Sequence, residues 1–334
     1  MKRNNLVFRL ASHIGQKLSS KAETQLKNFL KDIITKRNNL GIFEDIERLV
    51  NVDESPIYLE MPPKKTIEIK GSKNVDIYTF GKEKYRITSV LSITASGSKL
   101  LPLIIFKGKA GKYLEKKLNK LEEAKNKEIF ISCQENSWCT YQLFLFWLRN
   151  IFHYYQQFVI KKKCLLVLDM ASSHIHPKVI EYLNDNDIDF VVIPPGFTRY
   201  LQPLDIYVNK EFKSNLKNKY INHLTHNNLF IKNEEFSVEK ELMIQWVLEI
   251  WNSNDIIEKD TINKVFKKAG ISNKLDGSED DLFIYPDEII NTNKSKDNYS
   301  EELINDIEEN DSNNSNSDSE DDPYFASDID SDGK

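Results

Sequence analysis

The first strong hydrophobic pattern along this chain has a helical period. Residues 20–38 predict an amphipathic helix, and Ser20 and Glu23 at its start have the spacing of a capping box. Polar residues fill most of the other positions, so we expect this helix to cover a core with a single face. The apolar positions that share this face are Leu26, Phe29, Leu30, Ile33 and Ile34.

A block of extended patterns follows this helix. Residues 50–53 predict a short apolar strand, and residues 57–59 a second extended piece. Residues 86–94 are rich in β-branched side chains, and a turn at 96–98 separates them from the apolar run 100–106. This last pair of runs predicts a β-hairpin.

The second half of the chain alternates helical patterns with short apolar runs. Residues 141–158 carry many large apolar groups and predict a buried core helix. Residues 164–168 and 190–193 predict strands that are covered on both faces. For the last helix, Asp260 is the expected N-cap and Gly270 the expected stop. The remaining helices are predicted over residues 176–184, 204–223, 238–251 and 260–269.

The order of these elements indicates the fold class. Strand, hairpin, helix, strand, helix, strand and helix predict an α/β mixed sheet with helices on both faces, the arrangement of the ribonuclease-H-like fold. Highly charged residues at 112–127 predict a solvated helix or an insertion. Four parts are therefore expected: a connector with the amphipathic helix (1–45), the α/β core (46–225), a helical part (226–285) and a disordered, acidic tail (286–334).

Charge is distributed very unevenly along the 334 residues. The net charge of −5 combines 20 acidic and 3 basic residues in 276–334 with 31 acidic and 43 basic residues before them. A basic body with a net charge of +12 suits a polyanionic partner such as nucleic acid. The acidic tail either competes with that partner for the basic body or keeps the chain soluble.

Two classes of protein are disfavoured by the sequence. Three cysteines (Cys133, Cys139 and Cys164) without a C-x-x-C pair suit a reducing compartment and give no disulfide framework. Arg9 interrupts the apolar run at the start, so no secretory signal is expected. The most apolar long stretch contains Arg149, and we therefore expect no membrane span.

Three aspartates occupy positions where carboxylates of an α/β sheet are chemically useful. Asp53 ends the first predicted strand, Asp169 follows the apolar strand 164–168, and Asp205 begins a helix after the next strand. Ligands gather outside the carboxyl ends of strands in open α/β sheets. Mg²⁺ prefers carboxylate oxygens, and a pair of such ions supports phosphodiester cleavage. Taken together, the three residues predict a two-metal nuclease or strand-transfer site.

Each aspartate alone also has an ordinary structural explanation. Asp53 would serve as a turn residue, Asp169 as a helix cap, and Asp205 as an acid favoured by the helix dipole. The joint interpretation is preferred because all three can share one end of a sheet. Glu54 is the alternative first ligand, but strand alternation directs it to the face opposite Asp53.

Other residues with chemical potential are expected to have structural roles. His174 and His176 lack further ligands at zinc spacing, so a loop or capping role is preferred, with a phosphate contact as the alternative for His174. The basic run 161–163 predicts an exposed turn, with contact to a DNA backbone as the lesser alternative. Trp138, Trp246 and Trp251 are expected to pack in the core.

The chain resembles the pogo/Tigger/jerky group of DDE superfamily endonucleases, which are Tc1/mariner-like transposase catalytic domains and relatives of centromere protein B. The resemblance spans roughly residues 12–283, and its most specific block is Leu201-Gln-Pro-Leu-Asp205 with the downstream Asn209-Lys210. The segments that carry the resemblance are 51–56, 70–73, 86–91, 100–108, 136–138, 166–174, 193–198, 201–210 and 266–273.

This resemblance implies a fold, a reaction and a set of ligands. The fold is ribonuclease-H-like, and the reaction is metal-dependent hydrolysis of DNA at transposon ends followed by strand transfer. Asp53, Asp169 and Asp205 match the three acidic ligands of Mg²⁺ or Mn²⁺. Implied partners are DNA and, as one option, a second copy in a homodimer, with a nuclear location and without a membrane or a small-molecule cofactor.

The resemblance leaves two other functions open. Family members usually carry helix-turn-helix domains before the catalytic core, whereas the residues before Asp53 are expected to form only a connector helix. A domesticated, catalytically silent protein that binds DNA or chromatin is therefore the first alternative. A protein-interaction scaffold that uses the acidic tail is the second.

Overall fold

The structure is a computed structural model, and it describes residues 21–62, 85–112, 116–118, 120, 128–226 and 239–286. The strands are β1 (Leu49–Tyr58), β2 (Arg86–Thr94), β3 (Leu103–Lys107), β4 (Phe130–Gln134), β5 (Leu165–Leu168) and β6 (Asp189–Val192). The helices are α1 (Ala22–Leu40), α2 (Tyr141–Trp147), α3 (Pro177–Asp185), α4 (Thr198–Leu201), α5 (Asn209–His226), α6 (Lys240–Asn252) and α7 (Lys259–Lys268). Shorter segments are the π-helical Leu148–Phe152 and Tyr155–Ile160 after α2, the π-helical Leu204–Val208 before α5, and the 3₁₀ turns Ile46–Arg48 and Asp280–Leu282.

The strands form one mixed sheet in the order β4-β3-β2-β1-β5-β6. β2 is antiparallel to both of its neighbours, β1 and β3, and the other pairs are parallel. Five strands therefore end on the same side, which we call the carboxyl end of the sheet, and β2 begins there. The residues that follow β4 and those that follow β5 therefore lie at the carboxyl end, near the second half of β1.

Strand alternation in β1 separates two different environments. Val50 and Val52 belong to the hydrophobic core that includes Phe144 and Trp147 of α2. Asn51 lies on the opposite face, where its side chain hydrogen-bonds to Gln202. Since successive side chains of a strand point to opposite faces, Asp53 shares the face of Asn51, and Glu54 shares the face of Val52. Helices cover both faces of the sheet, as the sequence predicts.

The predicted hairpin and first helix are confirmed, while the strand count needs two corrections. β1 is a single strand, because residues 54–56 pair continuously with β2 and no gap separates the two predicted pieces. β4 was not predicted. Three of its five residues are apolar (Phe130, Ile131 and Cys133), but the run is short, follows the highly charged stretch and buries only two of its residues.

Two predictions of full burial are wrong. The helical run that starts at Tyr141 buries one face only, and Tyr154, Phe158 and Val159 on its outer side are exposed. β6 lies at the edge of the sheet and only Val191 among its residues is buried, so this strand is not covered on both faces. In both segments the many large apolar residues led to a prediction of more burial than the structure shows.

The predicted helix starts also differ from the observed ones. α1 has Lys21 as its N-cap, without a side-chain cap, and α7 has Glu258 rather than Asp260. Gly270 is confirmed as the stop of α7: its φ is +72°, and a Cβ there would lie 2.6 Å from Leu30.

Some predictions concern residues outside the described ranges. These include the disordered tail over 286–334 (beyond Pro286), the role of Ser20 and most of the charged stretch 112–127. In the described part of the chain, no helix combines the length and apolar character that crossing a membrane requires.

Candidate active site

The carboxyl end of the sheet brings together the three aspartates singled out in the sequence. Asp53 lies within β1 and is only 6% exposed, Asp169 directly follows β5, and Asp205 lies in the π-helical segment before α5. The charges of Asp205 and Asp169 both act on the Asp53 carboxyl group. We call these three residues the carboxylate cluster.

Asn209 at the start of α5 links two members of the carboxylate cluster. Its side-chain nitrogen donates hydrogen bonds to Asp53 Oδ2 at 2.6 Å and to Asp205 Oδ1 at 2.9 Å. One amide nitrogen therefore holds two carboxylates from sequence positions far apart. The spacing of four residues from Asp205 indicated a shared helix face, but the contact with β1 could not be predicted from the sequence.

A buried amide pair fixes where the segment carrying Asp205 meets β1. Asn51 Nδ2 donates to Gln202 Oε1 at 2.7 Å and to the carbonyl of Val167 at 3.0 Å. Gln202 Nε2 in turn donates to the carbonyl of Val52 at 3.0 Å, and the backbone amide of Leu204 donates to Asn51 Oδ1 at 3.2 Å. These bonds join β1, β5 and the Leu-Gln-Pro-Leu-Asp block, so the block has a positioning role.

His174 forms a second polar cluster on the other side of Asp169. Its Nδ1 lies 2.6 Å from Asp169 Oδ1, and its Nε2 lies 2.9 Å from Glu54 Oε1. The side chain is fully buried and packs 4.2 Å from the Phe144 ring. His174 lies in a turn after β5, so the predicted loop location is confirmed, but its full burial and its two carboxylate partners were not predicted.

Charge in this second cluster is balanced by the imidazole. Burial alone would lower the pKa of His174, but the Glu54 charge and the hydrogen bonds to Asp169 and Glu54 raise it to about 10. Burial would raise the pKa of Asp169, and its hydrogen bond to His174 outweighs this and lowers it. Asp169 is therefore held as a carboxylate.

The pKa of Asp53 is shifted in the opposite direction. Burial, followed by the charges of Asp205, Glu54 and Asp169, raises it well above its usual range, and the hydrogen bond from Asn209 offsets only part of this. The nearby Lys213 has its pKa lowered by burial despite the attraction of Asp205 and Asp53. Crowded carboxylates with so little compensation are a suitable environment for a cation.

Two sets of residues come into question as metal ligands, but among the described residues only one has ligand atoms that all lie within 4.8 Å of one another; the oxygens of the three aspartates are spread more widely. Glu54, Asp169 and His174 have donor atoms within 4.8 Å of one another. Both ring nitrogens of His174 are already engaged by the two carboxylates, so neither offers a lone pair, and this set is better explained as an ion-paired triad. The carboxylate cluster offers only oxygen ligands, which fit Mg²⁺ or Mn²⁺.

A cavity of about 310 Å³ opens beside these residues. Its lining includes Asp53, Glu54 and Asp169 together with Arg86 and Trp138. Trp138 is 59% exposed, so the prediction that it packs in the core is wrong, whereas Trp246 and Trp251 are buried as predicted.

The remaining candidates lie away from the cavity. His176 is the N-cap of α3 and accepts a hydrogen bond from the Lys178 amide, which confirms its capping role. The run 161–163 is an exposed turn before β5, at the opposite end of the sheet from Asp169. Lys162 and Lys163 pair there with Asp45 and Asp187, so a role beside the carboxylate cluster is disfavoured.

Comparison with known families identifies related proteins. The family model described as DDE superfamily endonuclease matches residues 84–266, which include Asp169 and Asp205 but begin after Asp53. The pogo transposable element with KRAB domain of Homo sapiens is 29% identical over 288 residues, covering 85% of this chain and 44% of that protein. The mouse protein of the same name is 28% identical and 45% covered, so this chain spans about half the length of both relatives.

Comparison with solved structures identifies the same architecture. The Mos1 mariner paired end complex with Mn gives a TM-score of 0.51 at 13% identity, covering 80% of this chain and 65% of that one. The corresponding complex with Mg gives a TM-score of 0.51 at 13% identity, with 85% and 69% covered. At this identity the likeness shows the fold, and it confirms the predicted ribonuclease-H-like α/β class.

Proposed function

Because this chain belongs to the DDE superfamily endonucleases, we propose that it is a pogo-like transposase domain that hydrolyses DNA phosphodiester bonds and transfers DNA strands with a divalent metal. The observation that supports this most strongly is the convergence of Asp53 and Asp205 on the Asn209 amide, beside Asp169. Three carboxylates from distant positions, one of them deeply buried, are unfavourable without a cation that compensates their charge.

Asp53, Asp169 and Asp205 are the proposed ligands, and Mg²⁺ or Mn²⁺ is the proposed metal. When bound, a pair of such ions supplies Lewis-acid activation of the attacking oxygen and charge stabilisation of the leaving oxygen. Asn209 holds Asp53 and Asp205 next to each other through its two hydrogen bonds. The His174–Glu54 pair fixes the orientation of the Asp169 carboxylate.

DNA is the proposed substrate and partner. The body of the chain before residue 276 carries a net charge of +12, which suits contact with phosphates. The Mos1 structures with the same fold are paired end complexes, and by extension a second copy of this chain is the other proposed partner. A nuclear location follows from action on chromosomal DNA.

Nicking of supercoiled plasmid DNA tests this function. The wild-type protein is expected to nick DNA only when Mg²⁺ or Mn²⁺ is added, and Asp169→Ala is expected to lose this activity. Asp185→Ala, an exposed acid at the end of α3, is the matched control and should remain active. Absence of nicking by the wild-type protein, with salt-sensitive DNA binding retained, would instead support the catalytically silent DNA-binding alternative.

A further inference from the structure

An exposed tryptophan stands beside the carboxylate cluster on a rigid turn. Trp138 follows β4, and the Gln134 side chain caps this turn by accepting hydrogen bonds from the amides of Asn136 (2.6 Å) and Trp138 (3.3 Å). Ser137 has a φ of +56°, is buried, and accepts a hydrogen bond from Thr88 at 2.5 Å through its carbonyl. A turn this well fixed holds the indole in place, although 59% of the residue is open to solvent.

Arg86 extends this aromatic surface. Its guanidinium carbon lies 4.4 Å from the centre of the Trp138 ring, a distance typical of a cation–π contact. In the described part of the chain, no carboxylate pairs with Arg86, so its charge is available to a ligand. We call Arg86 and Trp138 the stacking pair.

The stacking pair is the common wall of two cavities. One is the cavity of about 310 Å³ that Asp53 and Asp169 line. The other, of about 460 Å³, is also lined by Tyr85 and Lys107. A ligand that crosses this wall would therefore pass from the carboxylate cluster to an aromatic and basic surface without leaving the carboxyl end of the sheet.

A nucleotide of single-stranded DNA has the chemistry that this surface fits. Nucleobases stack on exposed indole and guanidinium planes regardless of sequence, and lysine attracts the adjoining phosphates. Resting on the proposed action on DNA, we propose that Trp138 and Arg86 stack one unpaired base next to the phosphate that reacts at the carboxylate cluster, with Lys107 attracting the flanking phosphate. The stacking pair would thereby keep the base at a strand end unpaired and its phosphate next to the carboxylate cluster, which the carboxylates alone cannot do.

Tryptophan fluorescence provides a direct test, because Trp138 is the one exposed tryptophan of the four and Trp147, Trp246 and Trp251 are buried. Without metal, a short oligothymidylate should quench the solvent-exposed part of the emission. An oligomer of abasic deoxyribose phosphates of the same length should bind on the order of tenfold more weakly and quench little. Equal quenching by both, or binding of neither, would overturn the proposal.

Variants separate stacking from folding and from catalysis. Trp138→Ala is expected to bind the two oligomers equally, as followed by anisotropy of a labelled strand, whereas Trp138→Tyr should retain the preference for bases. Phe158→Ala, which removes an exposed aromatic (62%) from the outer side of the helical run after α2, is the matched control and should bind like the wild type. A preference that persists in Trp138→Ala would refute the stacking role.

This test is independent of cleavage. The preference for the base-bearing strand is measured without metal, so it does not depend on whether the protein cleaves DNA. Loss of nicking with the preference intact would contradict only the proposed function. Nicking without any preference would contradict only the stacking role.

Discussion

Replacing Asp53 by asparagine is expected to abolish metal-dependent nicking while making the metal-free protein more stable. Burial, followed by the charges of three neighbouring carboxylates, raises the pKa of Asp53, so its ionised form disfavours folding. Asparagine keeps the shape and an oxygen acceptor for Asn209 without the charge, and should raise the free energy of unfolding by about 1–2 kcal/mol at neutral pH. Loss of the metal contribution, several kcal/mol, corresponds to a decrease in rate on the order of 10³-fold or more.

The raised pKa of Asp53 also determines the direction in which stability changes with pH. A carboxyl whose pKa is higher in the folded than in the unfolded state binds more protons when folded, so stability falls as pH rises from about 4 through the folded-state value. Thermal unfolding without metal should therefore show a steeper loss of stability with pH for the wild type than for Asp53→Asn.

Added metal should make the wild type more stable than Asp53→Asn, the reverse of the order expected without metal. At a metal concentration of about 100 times its Kd, the wild type gains about 2.7 kcal/mol by linkage, and Asp53→Asn gains little. Asp185→Asn, at an exposed position, is the control that should follow the wild type. An Asp53→Asn protein that is less stable than the wild type without metal would contradict the proposed crowding of charge.

Replacing Gln202 by alanine is expected to lower both stability and activity. Gln202 is fully buried, accepts from Asn51 at 2.7 Å and donates to the carbonyl of Val52 at 3.0 Å. Its removal leaves that carbonyl without this donor and opens a cavity, so the free energy of unfolding should fall by about 2–4 kcal/mol in urea denaturation.

The activity of the Gln202→Ala protein should fall further than its folded fraction. The amide pair positions the segment that carries Asp205, and loss of such outer support typically costs about 10–100-fold. Gln245→Ala on α6, an exposed glutamine bonded to Glu249, is the matched control and should change neither quantity. Unchanged nicking by folded Gln202→Ala would contradict the positioning role.

The sequence was sufficient to predict the fold class because its strongest patterns are local. The β-branched run that became β2 was predicted with its observed bounds, and the apolar run before Asp169 identified β5 within one residue. β4 was not predicted because its apolar run is short and follows the highly charged stretch, although three of its five residues are apolar.

The site was predictable only in part, for a related reason. The end of the strand before Asp169 was predicted correctly, but Asp53 lies within β1 rather than at its end, and the parallel pairing of β1 with β5 brings it beside Asp169. The partners of Asn209 and His174 could not be predicted, because their hydrogen bonds join residues 156 and 120 positions apart. The exposure of Trp138 likewise depends on a tight turn that composition does not reveal.

Anomalous diffraction from crystals soaked in Mn²⁺ tests the central claim most directly, because it locates the ion without relying on activity. The proposal predicts density bounded by the carboxylates of Asp53, Asp169 and Asp205, and its loss in Asp53→Asn crystals. Density between Glu54, Asp169 and His174, or no density at the carboxyl end of the sheet, would contradict the assignment of the carboxylate cluster as the metal site.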